Sequence, residues 1–184
     1  MNDQAQLWVG IDPGKTGAIV VLDQDGRYIA RTEMLKIGAG TRRERVSLAL
    51  LLSWWERDVV PKCLHLQLER LSLSCTFAIE RVASMPTDGV KSAFSFGASR
   101  QVCFDMADAL KARTTEVPPR DWQKAFLQGH PRGKREQIKA SAALVAAQRY
   151  PELHQALSLK KNWGFADAAL IADTARLQEK LRCE

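Results

Sequence analysis

Apolar and polar positions follow two rhythms along this chain. Leu7-Trp8-Val9-Gly10-Ile11 is a short continuous apolar run that ends on Asp12. A run of this length, closed by a turn signal, reads as a strand buried on both faces. Pro13-Gly14-Lys15-Thr16 supplies the turn, and Gly17 to Leu22 is a second apolar strand. Asp25-Gly26 is a hairpin signal, and Tyr28 to Glu33 completes an antiparallel meander of three strands.

The rhythm then becomes helical. Arg42 to Arg57 sets Val46, Leu48, Leu50, Leu51, Trp54 and Trp55 among charges, which predicts a helix over that span. Cys75 to Glu80 reads as the fourth strand and again ends in a carboxylate. Ser92 to Ala112 is a long helix. Thr115 to Val117 is a short strand stopped by Pro118-Pro119. Helices are expected over Asp121 to Leu127, Lys134 to Tyr150 and Phe165 to Arg182. Three leading strands followed by β-α-β-α units predict an α/β fold. Its five-stranded mixed sheet is antiparallel first and then parallel, flanked by helices. The length of 184 residues suits one such domain spanning 1–184.

Composition changes this picture little. Hydrophobic residues make up 46% and charged residues 26%, an ordinary globular balance. The formal charge of +6 is compatible with a polyanionic partner without requiring one. No stretch approaches membrane-spanning length. The first six residues carry neither a basic segment nor an apolar one, so secretion is not expected. The four cysteines (Cys63, Cys75, Cys103, Cys183) form no CxxC and read as reduced, mostly buried thiols. The histidines are scattered, which argues against zinc.

The candidate chemistry lies in acids. Asp12 ends the first strand and Glu80 the fourth. If those strands are parallel neighbours, both carboxylates reach one edge of the sheet, and Asp167 near the start of the last helix is a third. Acids crowded together repel one another and persist where divalent cations neutralise them. Each has an ordinary alternative. Asp12 fits a turn residue bonded to local backbone, Glu80 a surface ion pair, and Asp167 a helix-dipole partner. Gly10 to Thr16 misses the phosphate-loop spacing by one residue and leads into a strand rather than a helix. Asp-x-Gly-x-Thr-Gly also resembles the first phosphate loop of actin-like ATPases and sugar kinases, but those pair two domains around a nucleotide. Basic residues gather at Arg132, Lys134, Arg135 and Lys139 and at Lys160-Lys161, where phosphate contacts and a solvated helix face are both open readings. Trp54, Trp55 and Trp122 are expected to pack rather than to stack on bases.

Several motifs in order resemble RuvC-type Holliday junction resolvases, in versions similar to the phage and chloroplast branch. They are Gly10-Ile11-Asp12-Pro13-Gly14, Ile79-Glu80, Ser95-Phe96-Gly97, Val117-Pro118-Pro119-Arg120-Asp121-Trp122, Gly133-Lys134-Arg135-Glu136 and Ala166 to Ala172. The resemblance spans about residues 7 to 175. It implies an RNase H-like fold, a homodimer, dependence on Mg²⁺ or Mn²⁺ with two ions per active site, and paired symmetric nicks across a four-way DNA junction. It implies the cytoplasm of a bacterial or phage-infected cell and no membrane association. Asp12, Glu80 and Asp167 match the family's metal-binding acids. Lys134 matches a catalytic lysine near the scissile phosphate. Lys15, Arg81, Met85, Arg132, Lys134, Arg135, Lys139, Lys160 and Lys161 are the expected DNA contacts.

The chain also departs from the pattern. The family's fourth ligand position, one helical turn before the last acid, is Gly164 here. The aromatic wedge position after the glutamate is Ala83, with Met85 as a substitute. Asp173 lies six residues past Asp167 and is expected to point away. Besides a resolvase, the readings are a nuclease of broader branched-DNA specificity, a non-catalytic DNA-binding module and an actin-like nucleotide binder.

Overall fold

The computed structural model describes residues 6–65, 74–82, 89–130 and 134–183. Met85, Ala83 and Arg132 lie outside the described residues.

Three strands, β1 (Gln6–Asp12), β2 (Ala18–Leu22) and β3 (Tyr28–Glu33), form the expected antiparallel meander. A small hairpin of two-residue strands follows, β4 (Lys36–Ile37) with β5 (Arg45–Val46). Then come β6 (Ser74–Glu80) and β7 (Arg113–Val117). The main sheet has the order β3-β2-β1-β6-β7. β1 pairs antiparallel with β2 and parallel with β6, and β6 pairs parallel with β7.

Alternation along the central strands feeds two cores. Leu7, Val9 and Ile11 of β1, with Ile19, Val21, Phe77 and Ile79, face one side. That side is covered by α1 (Leu48–Trp54), a wider π-type turn (Trp55–Val59), α2 (Val60–His65) and α3 (Val90–Ala109). Trp8, Val20, Leu22, Ala78 and Val117 face the other side. There the cover is α4 (Pro119–Phe126), α5 (Arg135–Arg149), the short α6 (His154–Leu157) and α7 (Gly164–Cys183). Burial of both faces explains why β1 reads as unbroken apolar sequence.

The approach of α7 to β1 depends on small residues. A Cβ on Gly10 would stand 1.9 Å from the Ala168 carbonyl oxygen and 2.6 Å from the Ala172 nitrogen. No side chain fits there. Ala166, Ala168, Ala169, Ala172 and Ala175 are all buried along α7, and Ala168 and Ala172 meet Gly10. This contact brings the first turn of α7, and with it Asp167, to the end of β1.

The segment before α1 corrects the sequence expectation. Arg42 to Val46 is not helical. Ser47 ends the extended stretch and its hydroxyl accepts from the Leu50 N–H at 3.4 Å, so the helix starts at Leu48. Serine at this position satisfies an otherwise orphaned donor of the first turn. Trp54 and Trp55 are buried and pack edge to face, as expected. Cys63 and Cys103 are buried free thiols, and Cys75 is free and half-buried.

Candidate active site

The parallel register of β1 and β6 decides where two acids fall. Ile11 stands opposite Ile79, so Asp12 and Glu80 are the next residues out along the same edge. Asp167 comes from the first turn of α7. All three line one open cleft of about 1150 Å³. Its walls come from the β1–β2 turn (Pro13 to Gly17), from the start of α3 (Gly89, Lys91 to Ala93, Ser95, Phe96), and from Pro119, Trp122 and Gln123 of α4. Arg135, Ile138 and Lys139 of α5 complete it.

Each acid has a distinct environment. Glu80 is buried, and its Oε1 accepts from the Trp122 indole N–H at 2.9 Å. Burial raises its pKa, the indole donor opposes the rise, and the Asp167 charge adds to it. Asp167 is 5% exposed. Its Oδ2 accepts from Lys139 Nζ at 2.7 Å, while its Oδ1 is buried and has no hydrogen-bond partner. Burial raises the Asp167 pKa too, and Lys139 opposes the rise. Asp12 is half-buried, with its pKa pushed up to about 8, first by burial and then by the Asp167 charge. The turn after Asp12 is closed by backbone, with the Gly17 N–H donating to the Gly14 carbonyl at 3.2 Å. Glu80 makes no ion pair among the described residues; its partner is an indole.

The bases sort differently from expectation. Arg135 and Lys139 are four residues apart and share one face of α5 with Ile138, all in the cleft. Lys134 precedes that helix as its cap, is exposed and is not among the cleft-lining residues. Its backbone N–H donates to the Gln137 side chain at 3.0 Å. Lys15 lines the cleft from the β1–β2 turn, and Arg81 lies exposed just past Glu80, outside the lining. Lys160 and Lys161 line a second, shallower pocket shared with Thr16, Arg135, Lys139, Trp163 and Gly164. Lys160 pairs with Glu136 at 2.6 Å and stands 5.7 Å from the Trp163 ring centre.

Sequence reasoning missed Trp122 as a partner of Glu80, and Lys91, Ser92, Ser95 and Phe96 as walls. Helical spacing from Arg135 to Lys139 was the signal that could have separated these two bases from Lys134. Nothing local announces the Trp122–Glu80 bond, whose partners are 42 residues apart.

The donor set suits a hard cation. It offers carboxylate oxygens, one of them buried without a partner, and no thiolate or imidazole. Among the described residues, however, no three His, Cys, Asp or Glu side chains are arranged closely enough to hold one ion. Two of these oxygens already have partners: Lys139 donates to one of Asp167 and the Trp122 indole to one of Glu80.

The sheet order, antiparallel then parallel with helices on both faces, is the RuvC and RNase H-like fold. Two solved structures of RuvC from Thermus thermophilus share it. One, in complex with a Holliday junction substrate, is 14% identical, with a TM-score of 0.50 over 96% of each chain. The other is 16% identical, with a TM-score of 0.51 over 96% of each chain. No family model and no curated protein sequence matches the chain. At such identity the likeness is one of fold.

Proposed function

We propose that the protein is a structure-selective endonuclease that cleaves four-way DNA junctions, working as a homodimer with one cut per subunit. The observation that carries this reading is the gathering of Asp12, Glu80 and Asp167 in one basic-rimmed cleft, with a buried Asp167 oxygen left unpartnered. The fold shared with a RuvC solved on a Holliday junction substrate supports the choice of substrate. A two-fold dimer suits a two-fold junction, because each active site meets one of two equivalent strands.

Asp12, Glu80 and Asp167 would hold Mg²⁺ or Mn²⁺, which would supply Lewis-acid charge at the phosphodiester and make water a better nucleophile. The protein's own residues do the rest. Arg135 and Lys15 supply positive charge at the cleft wall for phosphate oxygens. The Trp122 indole holds the Glu80 carboxylate in one orientation. The Lys160 and Lys161 pocket extends the positive surface beyond the cleft. Met85 and Arg132 remain proposed DNA contacts, Lys134 a proposed phosphate contact at the tip of α5, and Arg81 one beside Glu80.

A second reading is favoured by one observation. Asp167 already carries a cationic partner in Lys139, and the three acids do not close around an ion. A junction-binding protein without cleavage would look like this. The test uses synthetic four-way junction, flap and duplex DNA in Mg²⁺ and in Mn²⁺, with wild type and Asp12→Asn. Symmetric nicks in the junction, lost in the variant, support the nuclease. Binding without cutting leaves the second reading. Cutting that survives Asp12→Asn overturns the site.

A further inference from the structure

Lys139 is the one group at the acid centre that the proposed chemistry does not require. It is held there by an ion pair. Its Nζ lies 2.7 Å from Asp167 Oδ2, with the Lys139 side chain 29% exposed and the Asp167 side chain 6% exposed. A lysine in this position costs desolvation, and a surface phosphate contact would not need to bear that cost. The field of its charge also reaches Asp12 and Glu80. The Arg135 charge bears on the same three acids, but only Lys139 makes a direct contact, with Asp167.

Gly164 brings no side chain to Asp12. A Cβ there would stand 3.5 Å from Asp12 Oδ2, from the Thr16 carbonyl oxygen and from the Ala18 methyl, in ordinary contact and with room to exist. The charge balance favours a single ion. Three ionised carboxylates against the Lys139 ammonium and the Arg135 guanidinium, whose charge also bears on all three acids, leave one negative charge, which a single divalent ion more than cancels. A second divalent ion would make the centre positive by three.

We propose that the Lys139 ammonium is a built-in cation of this centre, occupying the place of one metal ion, so that the resting protein binds a single divalent cation on the side of Asp12 and the free oxygen of Asp167. This rests on the nuclease reading and deepens it. The ammonium orients Asp167 through Oδ2 and leaves Oδ1 for the ion. In this role Lys139 is a positioning residue that acts through Asp167, and it caps the number of ions the acids can take.

Counting ions tests it directly. Mn²⁺ is titrated into the metal-free protein while the paramagnetic resonance signal of free Mn²⁺ is read, with wild type, Lys139→Met and Lys139→Arg compared and their folding checked by thermal melts. One Mn²⁺ per wild-type chain is expected. Lys139→Met, which keeps the length and loses the charge, is expected to take a second ion or to tighten the first by roughly tenfold. Lys139→Arg is expected to stay at one. Two equivalent ions in wild type overturn the proposal whether or not any variant folds, and so does a Lys139→Met titration that overlays the wild-type curve. Those outcomes leave the nuclease reading standing if the junction is still cut. Failure of both wild type and Lys139→Met to bind Mn²⁺ at millimolar concentration overturns both.

Discussion

Two aspartates on α7 stand six residues apart and are both buried, yet they are treated in opposite ways. Asp173 is fully enclosed, and both of its oxygens are used. Arg149 donates to Oδ2 from Nε at 3.1 Å and from Nη2 at 2.5 Å. Arg176 donates to Oδ1 from Nε at 2.8 Å, and its Nη2 stands 2.7 Å from the same oxygen as an ion pair. Asp167 has one lysine on one oxygen and nothing on the other. Asp173 is a completed junction tying α5 to α7. Asp167 is an uncompleted one, and it opens on a cleft with two more acids. An acid whose bonding capacity is filled by the fold has little left for a ligand. An acid left half-filled in a buried place holds capacity in reserve.

That contrast breaks if the two residues respond alike to the same change. Asp167→Asn is expected to lower the junction-nicking rate roughly 100- to 1000-fold, with a smaller loss of stability than Asp173→Asn because Lys139, 29% exposed, can turn its charge to solvent. Asp173→Asn is expected to do the reverse. It turns an amide N–H₂ toward a guanidinium and leaves arginine charge unpaired, costing about 3 kcal/mol in urea unfolding, with nicking per folded molecule retained. A large loss of stability in Asp167→Asn, or a lost rate in folded Asp173→Asn, would show that the division between them is false.

Much of this was legible in the amino-acid order, for a physical reason. Strand ends announce themselves: an apolar run stopped by an acid and a turn places Asp12, and the same pattern places Glu80. Their adjacency then follows from parallel pairing of the two strands. The resemblance implied the fold, and the sheet order agrees with it. What was hidden depends on three dimensions. The stretch from Arg42 to Val46 has helical spacing, but Gly38 and Gly40 turn with positive φ and Ser47 caps late, so the chain makes a hairpin first. Trp122 looked like packing and is indeed 2% exposed, but its N–H also needs an acceptor and finds Glu80 across the sheet edge. Lys139 and Lys134 differ by one helical turn and a cap, a distinction that a motif match does not make. Asp173 was expected to point away from the site. It lines neither pocket, and its partners are the two arginines.

The uncompleted acids should also reveal themselves through pH, without any nuclease assay. The Asp12 carboxyl is raised from 3.8 to about 8 in the folded chain. Between those values the folded protein holds a proton that the unfolded chain has released. Stability therefore falls as pH rises across that window, in metal-free buffer. Asp12→Asn has no proton to lose there. The variant is expected to match wild type near pH 4 and to exceed it increasingly toward pH 8. Asp12 keeps partial contact with solvent, which limits the gain to about 1–2 kcal/mol, or roughly 2–8 °C in a chain of this size. Melting curves from pH 4 to 8 in chelator check it. A wild type that is more stable than Asp12→Asn throughout would mean that the carboxylate is already satisfied in the fold, as Asp173 is.

The smallest expected effect tests whether the reserve at Glu80 is shaped by its neighbour. Trp122→Phe keeps most of the buried ring and removes the indole N–H that bonds Glu80 Oε1 at 2.9 Å. The carboxylate then loses its only observed donor among the described residues. Its pKa, already raised by burial, should rise further, since the indole bond is what opposes that rise. The expected stability loss is about 1 kcal/mol, the usual net worth of such a bond plus a little packing. The nicking rate should fall by about tenfold, with the fall largest at low pH and partly recovered as pH rises and Glu80 ionises. A plain packing role for Trp122 would lower stability without moving the pH profile. An unchanged profile in Trp122→Phe would therefore place Trp122 with the ordinary core and leave Glu80 oriented by the strand end alone.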